Sequence, residues 1–145
     1  AQQLSSELLD DIRNVVQALR DSRGLDMQTA LRALAAPMPR PLLKLDIDEQ
    51  VRVSDPLVAE TILRIVQEAM TNTARHSDAE TLSVALYHRC NAILLDIHDD
   101  GRLRGPLREG NGLAGMRERV IAADGKLQLG QAANGGLHLQ VSLPA

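Results

Sequence analysis

Between Pro56 and His98 the apolar residues change their period from about 3.6 to 2, which leaves few folds open to the chain. From Pro56 to about His76, Val58, Ile62, Ile65, Val66, Ala69 and Thr73 share one face at about 100° per residue, the mark of a long amphipathic helix. Ser54-Asp55-Pro56 reads as its start, with a capping oxygen followed by a proline that loses nothing at a first helical position. Residues 80–89 and 92–98 then alternate as TLSVALYHR and AILLDIH, joined by a turn at Arg89-Cys90-Asn91. A helix feeding an antiparallel hairpin points to an α+β fold, with a helix layer on a mixed sheet.

The remaining segments fit that architecture. Residues 1–21 form a helical pattern in which Leu4, Leu8, Ile12, Val15 and Leu19 make an apolar stripe, and Gly24 ends it. That stripe finds no obvious partner inside the chain, so a bundle or coiled-coil partner is expected. A short helix over Met27–Ala36, with Asp26 as N-cap, stops at the proline cluster PMPRP, the best domain boundary. Residues 42–53 suggest one or two strands, LLKLDI and VRV. A Gly-rich and charged loop spans 99–112. Leu113–Ala123 is helical and stops near Gly125, and two last strands, LQLG and LHLQVSL, flank a turn at Asn134-Gly135-Gly136. The expected division is a helical arm over 1–36 and one folded domain over 42–145.

Composition narrows the function classes. Tyr87 is the only aromatic residue among 145, so Leu, Ile, Val, Ala and Met must fill the core, which volume and patterning allow. A net charge of −3 gives no general electrostatic case for binding nucleic acid. Cys90 stands alone, which excludes an intrachain disulfide and favours a reducing compartment. No apolar run approaches the roughly 20 residues of a membrane span. The sequence begins mid-pattern without an initiator Met and reads as a piece of a longer protein, a cytoplasmic part whose parent's inner-membrane anchor would lie elsewhere.

Three segments carry chemistry. Glu68, Asn72 and Arg75, within EAMTNTARHS, lie four and three residues apart and form a polar stripe at the end of the long helix. An amide there can complete a metal's oxygen shell, and an arginine at the helix end can meet a phosphate. Asp99-Asp100-Gly101 follows an apolar strand. A carboxylate at a strand end can accept a hydrogen bond from an exocyclic amine, while glycine lets backbone approach a ring; the same three residues also favour a plain turn. Gly110, Gly112 and Gly115 match a G-x-G-x-x-G spacing opening a helix, where free amides can hold an anion. A dinucleotide-binding fold would need that motif directly after a strand, and here a charged loop precedes it.

In this order and spacing, EAMTNTARHS, DDG and GNGLAGMRERV resemble the N, G1 and G2 boxes of sensor histidine kinases, of the wider Bergerat-fold ATPase group. The wording RHS and GLAGMRERV looks like the branch partnered with LuxR-type response regulators. The resemblance covers about residues 42–145, while residues 1–36 look similar to the second helix of that branch's dimerisation hairpin and its lead-in. It implies a two-layer α/β sandwich that binds ATP with Mg²⁺ and passes the γ-phosphoryl to a histidine, for relay to a response-regulator aspartate. Asn72 would coordinate Mg²⁺, with Glu68 beside it as a polar or proton-handling partner. Asp99 would receive the adenine amino group, and Gly101 would let the ring pack closely. Gly110, Gly112, Leu113 and Gly115 would shape a lid that cradles phosphates, with Arg75 nearby.

Two positions depart from the family pattern. Leu103 stands where a second G1-box glycine is common, and Leu137 stands where a Ser or Thr near adenine is common. The four histidines, His76, His88, His98 and His138, lack metal-ligand spacing and read as structural, and the resemblance implies that the phosphoacceptor lies on the dimerisation hairpin's first helix, which is not in this sequence. Two other readings share the fold: an anti-sigma-type serine kinase, against which the helix at 1–21 and the wording GMRERV argue, and a nucleotide-blind module that dimerises through residues 1–21.

Overall fold

The computed structural model describes residues 27–36, 41–48, 51, 53, 55–76, 79–101, 111–131 and 136–144. Within them the chain runs α1 (Met27–Ala35), β1 (Leu42–Ile47), α2 (Pro56–His76), β2 (Thr81–Arg89), β3 (Ala92–Asp99), α3 (Asn111–Ala122), β4 (Lys126–Gln131) and β5 (Leu137–Pro144). The helix expected over 1–21 lies outside the described residues.

The local signals at α2 act as anticipated. Asp55 is the cap: its carboxylate accepts the Leu57 amide at 2.9 Å and its carbonyl accepts the Ala59 amide at 3.0 Å. Pro56 takes the first helical position, where its missing N–H costs nothing. Val58, Ile62, Ile65, Val66, Ala69 and Thr73 are buried as the periodicity requires, but so are Ala59, Thr61, Leu63 and Met70. The buried stripe is wide because α2 is flanked by α1 and α3 and also lies on β2 and β3.

The five strands stand in the order β1-β2-β3-β5-β4. β1 and β2 are parallel, joined through α2, and every other neighbour is antiparallel, so the sheet is mixed as expected. Alternation sends Leu82, Val84 and Leu86 of β2, Ile93, Leu95 and Ile97 of β3, and Leu137, Leu139, Val141 and Leu143 of β5 to the helix side. There all of these except Leu137 meet Leu31 and Leu34 of α1, the buried face of α2, and Met116 and Val120 of α3 in one core. The core contains no aromatic ring among its described members, since Tyr87 sits half-buried on the other face. Among the described residues no helix is long and apolar enough to cross a membrane.

Several boundaries differ from expectation, each for a local reason. The stretch VRV adds no strand among its described residues: the Val51 amide closes a turn onto the Asp48 carbonyl at 3.0 Å, and Val51 is buried from that turn. Arg89 belongs to β2, paired with Ala92, so the hairpin turns on Cys90 and Asn91 alone. Their φ values of 51° and 61° are those of the two-residue turn that matches strand twist. α3 starts at Asn111, two residues before the expected Leu113. It ends on Asp124, at φ 60°, with Gly125 N–H bonded to Val120 C=O at 2.8 Å and Asp124 N–H to Ile121 C=O at 3.0 Å. Gly125 is required for a different reason: a Cβ there would meet the Ser142 carbonyl oxygen at 2.5 Å.

Candidate functional site

The site begins with a violation of the sheet's own pattern. Residues 93, 95 and 97 of β3 are apolar and buried, and the next position in that alternation is Asp99, which is 0% exposed. It sits opposite Leu82 in the register. An ionised carboxylate held at a core-facing position is costly unless hydrogen-bond donors compensate it. Two are in place: the Gly101 amide donates to Oδ1 at 3.1 Å and the Thr73 hydroxyl donates to Oδ2 at 3.4 Å.

Asp100 behaves oppositely, although it is the adjacent residue. It is exposed, and its Oδ1 accepts the Glu80 and Thr81 amides at 3.1 Å each, tying off the entry to β2. Its own amide donates to the Thr81 carbonyl at 3.2 Å. Both readings of Asp-Asp-Gly are therefore present, divided between two residues: Asp100 makes the turn, and Asp99 is the inward acceptor.

Gly136, just before β5, closes against this pair. A Cβ at position 136 would collide with Asp99 Oδ1 and would lie 2.8 Å from both the Asp99 and Gly101 carbonyl oxygens. Leu137 follows it into the core at 2% exposure. The site thus gathers the end of β3, the start of β5 and the last turns of α2.

Of the other expected residues, Glu68 and Asn72 lie one turn apart on α2 and are half-buried, while Arg75 is exposed. Asn72 immediately precedes the Thr73 that touches Asp99, so the first two expected segments come together. Gly112 and Leu113 fall in the first turn of α3, and Gly115 is half-buried further along it, with open space where a Cβ would stand. Gly110 and Leu103 lie outside the described residues. Among the described residues no His, Cys, Asp and Glu group could hold a metal ion on its own.

Sequence reasoning missed two members of the site. Thr73 was assigned to the apolar face of α2, and the available signal was a hydroxyl at a core position directly after Asn72. Gly136 was read as a turn glycine. Two of the histidines lie elsewhere: His98 and His138 stack edge-to-face on the opposite face of the sheet, their centroids 6.1 Å apart. There His138 Nε2 meets Asp96 Oδ1 at 2.9 Å, beside an open depression of about 600 Å³ that Lys44, Asp46 and Ser83 also line.

The chain is 35% identical to the sensor histidine kinase YxjM of Bacillus subtilis, over 97% of its own length and 36% of that protein. The chain is homologous to sensor histidine kinases. It spans about a third of the length of the curated histidine kinases it matches. Its fold is that of a histidine kinase domain. The domain from the Erythrobacter litoralis EL346 blue-light activated histidine kinase superposes with a TM-score of 0.72 at 15% identity, covering 96% of this chain and 73% of that one. Full-length ShkA in complex with AMPPNP gives a TM-score of 0.66 at 17% identity, over 83% of this chain and 30% of that one. No family model matches the chain.

Proposed function

We propose that residues 42–145 are the ATP-binding catalytic domain of a sensor histidine kinase, preceded over 1–36 by the second helix of a dimerisation hairpin and a lead-in. The observation that carries this is Asp99: a fully buried carboxylate at a strand end, with glycine on both sides of it in space. Such a group is poor core material, but a carboxylate, with its several acceptor sites, is well suited to accept an exocyclic amino group. Gly136 lets the start of β5 pack closely against Asp99 Oδ1 and the Asp99 and Gly101 carbonyl oxygens. The AMPPNP bound by ShkA, a protein of the same fold, is in keeping with an adenine nucleotide.

At the phosphate end, Asn72 offers an amide oxygen and Glu68 a carboxylate one turn earlier. This donor set fits Mg²⁺ that is bound mainly by phosphates and water, since magnesium keeps several waters and seldom uses an all-protein cage. When bound, the ion neutralises charge on the transferring phosphoryl group. Glu68 handles a proton or orients the acceptor, Arg75 offers positive charge to the phosphates, and Gly110, Gly112, Leu113 and Gly115 form the phosphate-side lid. The γ-phosphoryl passes to a histidine nitrogen outside this sequence, leaving ADP, and then to an aspartate of a LuxR-type response regulator. This domain works in the cytoplasm, with the parent anchored in the inner membrane and homodimeric through its helical hairpin.

Calorimetry with Mg-AMPPNP tests this on the 145-residue chain. Wild type should bind, and Asp99→Ala should bind at least tenfold more weakly, the scale of a hydrogen bond to a charged group. A folded wild type that binds no adenine nucleotide would overturn the reading.

A further inference from the structure

We propose that Thr73 is a positioning residue for base recognition, setting the orientation of Asp99 from the helix that also carries Asn72; this rests on the nucleotide reading above. The choice its hydroxyl makes is the first argument. A threonine inside a helix usually returns its hydroxyl to the carbonyl one turn back. Thr61 and Thr71 of α2 do so, at 2.7 Å to Leu57 and 3.0 Å to Gln67. Thr73 instead directs its hydroxyl across 26 residues of sequence to Asp99 Oδ2. It does this while 1% exposed.

The second argument is what Asp99 needs. Its Oδ1 is tied to the Gly101 amide and hemmed by Gly136, so that oxygen cannot move far. Thr73 reaches the other oxygen, Oδ2, from α2, so the carboxylate is contacted from two elements of the fold. The separation of 3.4 Å is long for an O–H···O contact. Because Asn72 and Thr73 are consecutive on one rigid helix, the base acceptor and the phosphate-side amide are held at a fixed spacing.

Two variants isolate the hydroxyl. Thr73→Val keeps the shape and removes the donor, and Thr73→Ser keeps the donor. Mg-AMPPNP and Mg-purine riboside triphosphate, which lacks the 6-amino group, are titrated into the whole chain by calorimetry, with thermal melting as the check on folding. Thr73→Val should weaken Mg-AMPPNP binding about 5- to 10-fold, the range for one hydrogen bond. Its preference for the amino-bearing base should fall by a similar factor, and Thr73→Ser should stay within about twofold of wild type. A structural role would lower the melting temperature without altering base preference, which would overturn the proposal, as would unchanged binding by Thr73→Val or equal loss in both variants. Wild type binding neither nucleotide would defeat the nucleotide reading itself, and this proposal with it.

Discussion

Replacing Gly136 by alanine adds one methyl group where the structure has no room for it. The new carbon would overlap Asp99 Oδ1 and stand 2.8 Å from two backbone carbonyl oxygens, those of Asp99 and Gly101. None of the three is the free end of a flexible side chain. Asp99 Oδ1 is held by the Gly101 amide at 3.1 Å, and the two carbonyls belong to the end of β3 and the turn after it. Relief must come from shifting the start of β5 or from turning the Asp99 carboxylate. Overpacking of this kind costs about 1–3 kcal/mol. For a chain of this length that is a fall of roughly 3–10 °C in melting temperature, which differential scanning calorimetry resolves. The same displacement moves the acceptor oxygens, so Mg-AMPPNP affinity should fall roughly 10- to 100-fold, the loss of one charged hydrogen bond or somewhat more. Gly136→Ala that melts with wild type and binds with wild-type affinity would refute both the clash and the placement of the base beside Asp99.

Two further substitutions separate neighbouring causes. Gly115→Ala, at a helical position whose Cβ would meet nothing within 4 Å, should raise stability by about 0.5–1 kcal/mol, read from urea midpoints. A loss of stability there would mean that the open space is not real. Asp55→Ala removes the oxygen that accepts the Leu57 amide and should cost about 1 kcal/mol in the same assay, with nucleotide affinity unchanged because the cap lies at the far end of α2 from Asn72.

The legible parts of this protein were those governed by neighbours in sequence. α2 could be bounded at Pro56 and His76 because a capping carboxylate, a first-turn proline and an unbroken period all lie on one stretch. The hairpin is equally visible: the strand expected over 80–89 does end at Arg89, and the pairing of Arg89 with Ala92 leaves Cys90 and Asn91 as the turn. The end of α3, at Ala122, falls near Gly125 as expected. Glycine is the usual left-handed residue, yet Asp124 adopts that conformation here, and Gly125 is kept for its closeness to the Ser142 carbonyl.

The candidate site divides along the same line. Asp99 was identified from a motif, and strand parity supports it, because positions 93, 95, 97 and 99 must share a face. Sequence by itself therefore determined the fold class, most element boundaries, and which segments carry the chemistry. The tertiary structure alone decided that Thr73 leaves its own helix to meet Asp99, that Gly136 is a wall of the site, and that the outer-face histidines stand apart from it. Those outcomes depend on how α2, β3 and β5 are set against one another. That arrangement is fixed by packing over the whole core, and no short stretch of sequence contains it.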